Sequence, residues 1–362
     1  MLAGNWQNFE YETVSATEAS KLLPKWLNLI PHLIESAGFN APELVLPILQ
    51  HANQAKVATV QLGTELHFVL PMCEGRSYNS SWITPLTAAD TPHVDELGLT
   101  EFIAAQAKPF LFQAIQAEGP FHKLLRQQAQ RYSILESWVR ACLRPVGTYE
   151  NWLHTNFDQK RRKEFKRQRT RLSEQGDLQT EILSKADDVD SFTEDFLSLE
   201  VSGWKGKKGT AISANAGLAE ATRQALRNLH ASGKLRFWNL KLDGKSIASL
   251  FAIVEGDQAW LGKIAYDETY AKFSPGALII LDCTESFFAE PAITQIDSSA
   301  IPNHPLIDRI WRDRLAMVSI FIGSENLNQT QFNLTVALAK QKLKWRNRLR
   351  DLYYRALGKR RS

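Results

Sequence analysis

The residues best suited to chemistry lie in the second half of the chain. Ser274-Pro275-Gly276 follows a strand-like run and opens an apolar helix, Ala277-Leu278-Ile279-Ile280-Leu281. Serine suits an N-cap and proline the first helical position, and the free N–H groups of a helix start suit an anion such as a phosphate. The backbone N–H groups of Gly276, Ala277 and Leu278 are the candidate anion donors, with Ser274 as cap and Lys272 as added charge. In isolation an ordinary capped helix reads the same way. Glu200 precedes Gly203-Trp204-Lys205-Gly206-Lys207-Lys208-Gly209, where helical periodicity gives way to glycines and a loop. A carboxylate beside Trp204 could be made less acidic and serve as a general base; a surface glutamate at a helix end reads equally well. Trp204 could stack on a ring or a sugar. Asp297 ends a short apolar strand, where open α/β sheets form ligand crevices. Pro302-Asn303-His304-Pro305 follows it, and His304 could shuttle a proton near neutral pH. No Cys, His, Asp or Glu spacing suggests a metal.

The elements that position these residues read in a definite order. Lys160–Glu174 and Leu218–Ala231 are helical, with Leu178–Leu183 a strand between them. Leu235–Leu242, Ile247–Val254 and Ala259–Tyr266 are three strands joined by Asp243-Gly244 and Glu255-Gly256-Asp257 turns. A helix from Ser274 to about Phe288, a strand at Ile293–Asp297, a helix over Pro305–Trp311 and a strand at Met317–Ile322 follow. Asp308, Arg309, Arg312, Asp313 and Arg314 read as an alternating-sign helix face. The N-terminal half repeats much of this order: a hairpin at Lys56–Leu70, a strand at Trp82–Pro85, then helix, strand, helix, strand to Leu143. We read two copies of one α/β unit, inferred from element order alone.

That order resembles the GNAT acyltransferase fold, and two copies in tandem resemble the Fem-type arrangement. The C-terminal half is similar to the CelD-type acyltransferases associated with cellulose and exopolysaccharide biosynthesis. Four segments carry this resemblance: Arg161-Arg162-Lys163-Glu164-Phe165; Leu199-Glu200 through Trp204-Lys205 to Gly209-Thr210-Ala211; Ala265-Tyr266-Asp267-Glu268 through Ser274-Pro275-Gly276; and Ile296-Asp297 through His304 to Asp308-Arg309-Ile310-Trp311. The resemblance implies transfer of an acyl group, acetyl first, from acyl-CoA to an amine or hydroxyl, with no metal. Read from the residues themselves, Glu200, Asp297 and His304 are the catalytic candidates, Asp297 ahead of His304. Ser274, Gly276, Ala277, Leu278 and Lys272 hold the cofactor, and Trp204, Lys205 and Asp267 bind substrate. The chain has Ser-Pro-Gly where GNAT enzymes usually carry a richer glycine loop. The acceptor is a small molecule or saccharide. An aminoacyl-tRNA-dependent Fem-type transferase, or a non-enzymatic membrane- or nucleic-acid-associated protein on the same scaffold, are the alternatives.

The expected fold class is α/β, with two GNAT-like domains over 1–150 and 151–324 and a basic amphipathic helix over 325–362. Each domain is a mixed, mostly antiparallel sheet flanked by helices. At 362 residues and 44% hydrophobic, the chain can bury more than one core. It has no apolar run near the roughly 18 residues of a membrane span and no secretory signal at Met1–Glu10. Cys73, Cys142 and Cys283 are scattered and fit a reducing cytoplasm. The net charge of +4 conceals an asymmetry: Lys340–Ser362 holds ten Lys/Arg against Asp351 alone, so the remainder is net acidic. A second basic cluster runs Lys160–Arg171 with eight cations and one acid, Glu164. These helices suit an anionic membrane or RNA phosphates; a solvated helix on the body is the simpler reading. Aromatic interleaving for base stacking is thin, which disfavours nucleic acid. The localisation expected is cytoplasmic, with peripheral contact at the inner membrane face through Lys340–Arg361.

Overall fold

The structure, a computed structural model, describes residues 9–51, 56–77, 80–85, 91–203 and 211–356. The chain divides into two compact units: Met1–Pro42, Ala52–Val139 and Ala316–Ser362, and Glu43–His51 with Arg140–Leu315.

In the first unit β1 (Phe9–Val14) pairs antiparallel with β2 (Lys56–Leu62), which turns through Gly63, at φ +59°, into β3 (Glu65–Ser77). β4 (Ser80–Pro85) continues antiparallel, and β5 (His93–Val94) adds to β3. β6 (Phe110–Gln116) runs parallel to β4 and antiparallel to β13 (Asp313–Gly323). β7 (Arg131–Leu143), whose last four residues fall in the second unit, follows β13 in the sheet order. The unit's helices in this N-terminal stretch are α1 (Ala16–Lys21), α2 (Leu23–Leu29), α4 (Glu96–Ala104) and α5 (Pro120–Gln128), while α3 (Pro42–Leu49) falls in the second unit from Glu43 on. Ser15 and Glu18 cap α1 reciprocally, satisfying two N–H groups that a helix start leaves open. Phe102 on α4 stacks on Phe68 at 4.1 Å and meets Phe110 edge-on at 5.0 Å, which fastens that helix to the sheet.

The second unit contains α6 (Tyr149–Asn156), α7 (Gln159–Ser173), β8 (Leu178–Ile182), α8 (Val189–Ser202), α9 (Ala216–Ala231), β9 (Leu235–Leu242), β10 (Lys245–Glu255), β11 (Gln258–Tyr266), α10 (Pro275–Phe288) and β12 (Gln295–Asp297). Its sheet order is β7-β12-β11-β10-β9-β8, antiparallel except where β11 and β12 run parallel. Asp243 and Gly244 both take positive φ, as a two-residue hairpin turn requires. The central strands are buried on both faces. Phe237 and Phe251 pack on Phe196 of α8, while Trp238 on the other face donates to Ser286 of α10 at 2.9 Å. Each unit thus repeats three antiparallel strands, a helix and a strand parallel to the third: β2-β3-β4-α4-β6 and β9-β10-β11-α10-β12. The fold is mixed α/β, as the element order suggests.

Two local expectations are corrected. Pro305–Trp311 is not a helix: only Ile307–Arg309 forms a 3-10 turn, and β13 begins at Asp313. The alternating-sign helix face therefore does not exist; Arg314 donates instead to the carbonyls of Trp311 and Asp308, at 2.7 and 3.2 Å. Cys142 and Cys283 are buried free thiols. In α7, Phe165 and Leu172 are buried, Arg161 lies 4.4 Å over the Phe165 ring, and Arg169 pairs with Asp282. The last helix, α11 (Gln329–Ala356), starts on the first unit through Phe332, Val336 and Ala339, packed with Leu111, Phe321 and Leu327. No helix among the described residues is long and apolar enough to cross a membrane.

The first unit also buries a carboxyl at a helix start. Glu35 is 8% exposed, its Oε2 accepts from Phe121 N at 3.2 Å, and a Cβ on Gly119 would lie 2.5 Å from that oxygen. Burial pushes the Glu35 carboxyl up to about 7, against the pull of the Phe121 bond. A raised carboxyl pKa means that the folded state holds the proton more tightly than the unfolded chain. Stability from this group is fully present below the unfolded value near 4.5 and is lost as pH rises through about 7. The loss is about 3 kcal/mol. Glu35→Gln is expected to flatten this part of the urea-unfolding profile and to be the more stable protein above neutrality. Parallel profiles for the two proteins would refute the assignment.

Candidate active site

The site is set by the parting of β11 and β12. They pair in parallel over Gln258↔Gln295, Ala259↔Ile296 and Trp260↔Asp297. Beyond Trp260, β11 runs on to Tyr266 while β12 stops at Asp297 and pairs with Cys142 of β7 on its other side. Asp267 N donates to Ile247 O at 2.8 Å, on the β10 side. Strand alternation then turns the Tyr266 N–H to the opposite edge, where β12 has departed.

A bulge re-aims the middle of β11. Leu250↔Ile264 is followed by Ala252↔Leu261, so β11 carries an extra residue at Gly262-Lys263. Glycine is obligatory here, because a Cβ on Gly262 would lie 2.0 Å from the Phe251 ring. Lys263, beside it, reaches Glu200 of α8 at 3.1 Å. The Glu200 side chain is fully buried, and its other oxygen accepts from Ile212 N at 2.8 Å, which fastens the residues after the loop to α8. Trp204 and Lys205 lie outside the described residues.

The start of α10 differs from expectation. Ser274 sits in the left-handed region at φ +54°, and its side chain caps nothing. Its carbonyl accepts from Ala277 N at 2.9 Å and Leu278 N at 3.2 Å. Two of the three N–H groups assigned to an anion are therefore spent on the helix itself, because the N-cap carbonyl takes the first intrahelical bonds. Pro275 has no N–H, which leaves Gly276 N in this turn. A Cβ on Gly276 would lie 3.2 Å from both Leu306 and Tyr266, so the glycine admits those side chains. Lys272 is exposed and lies 4.8 Å over the Phe273 ring.

Asp297 is 1% exposed and forms an ion pair with Arg140, itself 4% exposed. Its second oxygen accepts from Ser299 N at 2.8 Å. Both oxygens are occupied, and Arg140 Nε is buried without a hydrogen-bond partner. The structure thus places Asp297 as the tie at the end of β12. His304 Nδ1 accepts from Leu306 N and Ile307 N at 3.3 and 3.4 Å, so a neutral ring carries its proton on Nε2. Asp267 caps the 3-10 turn Glu268–Phe273 by accepting from Thr269 N and Oγ1 at 2.9 and 2.7 Å.

Tyr266, Gly276 and Leu306 meet at the end of β11, with His304 two residues away; Glu200 and Lys263 form a pair on the α8 side of the same strand. Arg140 was not singled out from sequence. A cation directly before the apolar run Ala141-Cys142-Leu143, at the end of a strand, is the available signal.

Residues 159–302 match the acetyltransferase (GNAT) domain as a family. Among solved structures, the chain is similar to FemX, at 9% identity and TM-score 0.55 over 90% of this chain and 100% of that one. It is similar to the C-terminal domain of a putative lysylphosphatidylglycerol synthetase from Agrobacterium fabrum, at 10% identity and TM-score 0.53 over 90% and 96%. It is also similar to a conserved protein of unknown function from Bacteroides thetaiotaomicron, at 11% identity and TM-score 0.52 over 87% and 100%. No curated protein sequence matches. These identities speak to the fold. Residues 159–302, a mixed α/β stretch, are thus similar to the acetyltransferase (GNAT) domain family.

Proposed function

We propose that the chain transfers an acetyl group from acetyl-CoA to an amine or hydroxyl of a small acceptor, a saccharide foremost. The CelD-like segments suggest polysaccharide or cell-envelope metabolism and a cytoplasmic site of action. The observation that carries the reading is the parting of β11 and β12 beside the start of α10, within the matched domain. Such an opening admits an extended thioester arm between two strands, with phosphate near a helix N-terminus.

In this reading Glu200, with Lys263 beside it, removes the proton from the acceptor. The acceptor's nitrogen or oxygen attacks the thioester carbonyl, and the Tyr266 N–H stabilises the oxyanion. The C–S bond breaks, His304 Nε2–H donates a hydrogen bond to the departing thiolate, and the thiolate takes its proton from water. Gly276 N and the α10 dipole, with Lys272, hold phosphate; Asp267, Trp204 and Lys205 are the residues proposed to bind the acceptor. Asp297 acts through Arg140 to hold β12 in place.

Tritiated acetyl-CoA is expected to bind saturably, and Gly276→Asp, which sets a carboxylate at the phosphate position, to weaken that binding at least tenfold. A thermal melt controls for crowding against Leu306. Absence of saturable binding by the wild-type chain removes the reading. A second reading, an aminoacyl-tRNA donor as in Fem-type transferases, is supported by the loss of Ala277 and Leu278 N–H to Ser274, which weakens a pyrophosphate cradle. Activity abolished by RNase favours that donor.

A further inference from the structure

α11 carries two apolar faces. Phe332, Thr335, Val336 and Ala339 are buried, with Leu343 half-buried in line with them, and these fasten the helix to the first unit. Leu334, Leu338, Trp345, Leu349 and Leu352 recur at three-, four- and seven-residue spacings and lie about 130° around the helix from that buried side. Trp345 is 56% exposed, Leu349 62% and Leu352 60%. The outer stripe is thus apolar, ordered on a helix, and turned away from the body.

The charges around the stripe define what can cover it. Between Lys340 and Ala356 the helix holds seven Lys/Arg and one acid, Asp351. Lys342 and Arg346 fall on one flank of the stripe, and Lys344 and Arg348 on the other, with the Arg348 guanidinium 5.7 Å from the Trp345 ring. Leucines and a tryptophan between two rows of cations match the boundary of a bilayer, where acyl chains lie below anionic headgroups. A second copy of the helix would bring like charges together. RNA phosphates would meet the cations but leave the leucines in water.

We infer that the outer face of α11 docks on an anionic phospholipid bilayer, Trp345, Leu349 and Leu352 entering the headgroup–acyl boundary and the flanking cations meeting the phosphates. The inference stands independently of the acetyl-transfer reading, since it rests on residues outside the matched domain.

The test is vesicle flotation of the full-length protein with phosphatidylcholine, with and without phosphatidylglycerol. The expected result is co-flotation with the anionic vesicles alone, reduced by added salt, and a loss of roughly tenfold or more in partition for the Leu349→Gln/Leu352→Gln variant. Both leucines are exposed, so circular dichroism and the melting temperature are expected to stay unchanged. Absence of flotation, equal flotation on neutral vesicles, or full flotation of the double variant overturns the inference. So does sedimentation showing a dimer that the double variant dissolves, or RNA displacing the protein from vesicles with no dependence on the two leucines.

Discussion

Asp297→Ala is expected to lose about 3–5 kcal/mol of folding stability, because it strands the buried Arg140 guanidinium without its counter-charge. Arg140 already has a buried Nε with no hydrogen-bond partner, so removal of the carboxylate adds to an existing deficit. Asp297 also receives Ser299 N, which holds Ser299 at φ +53° just after β12. Chemical denaturation of Asp297→Ala, Arg140→Met and the double Arg140→Met/Asp297→Leu gives a complete comparison. The two single variants are expected to be much weaker, and the double to recover most of the loss, since a well-packed apolar pair can replace a buried ion pair at little cost. Wild-type stability in Asp297→Ala would show that the carboxylate is not holding the strand. The consequence for enzymology is direct: loss of activity on mutating Asp297 is first a statement about the end of β12.

What was legible in the sequence was local. Asp243-Gly244 fixed a hairpin because two adjacent left-handed residues are a property of those side chains. The Ser-Pro-Gly stop before Ala277 marked the start of α10 for a similar reason. What Ser274 does there was not legible. A capping serine ordinarily has extended backbone, and this one is left-handed, so its carbonyl rather than its hydroxyl serves the helix. The Arg140–Asp297 and Lys263–Glu200 pairs join residues 157 and 63 positions apart, and no local pattern encodes such distances. The short N-terminal elements went unassigned, although Ser15 and Glu18 carry a capping-box spacing. The Pro305–Trp311 stretch shows the converse error: its charges alternate at helical spacing, yet β13 claims the chain from Asp313 and leaves room for one 3-10 turn.

Those long-range pairs also decide which candidate is tested for proton transfer. Glu200→Gln is expected to lower acetyl transfer by about 10²–10⁴-fold, measured as CoA thiol released with whichever amine or sugar of a small panel the wild-type chain acetylates. Glutamine retains one acceptor oxygen, for Ile212 N or for Lys263 Nζ, and fills the same space. A purely structural role for Glu200 therefore predicts a modest fall in melting temperature with kcat nearly intact. A base role predicts the opposite: a folded protein with an unchanged melting temperature and low kcat. Lys263→Met separates the two further. It leaves the carboxylate and the Ile212 bond in place, so it is expected to keep most of the rate. If Glu200→Gln transfers acetyl at the wild-type rate, proton removal belongs to another group. His304 becomes the next residue to examine, since a rotation of its ring away from Leu306 N and Ile307 N would free Nδ1 to accept.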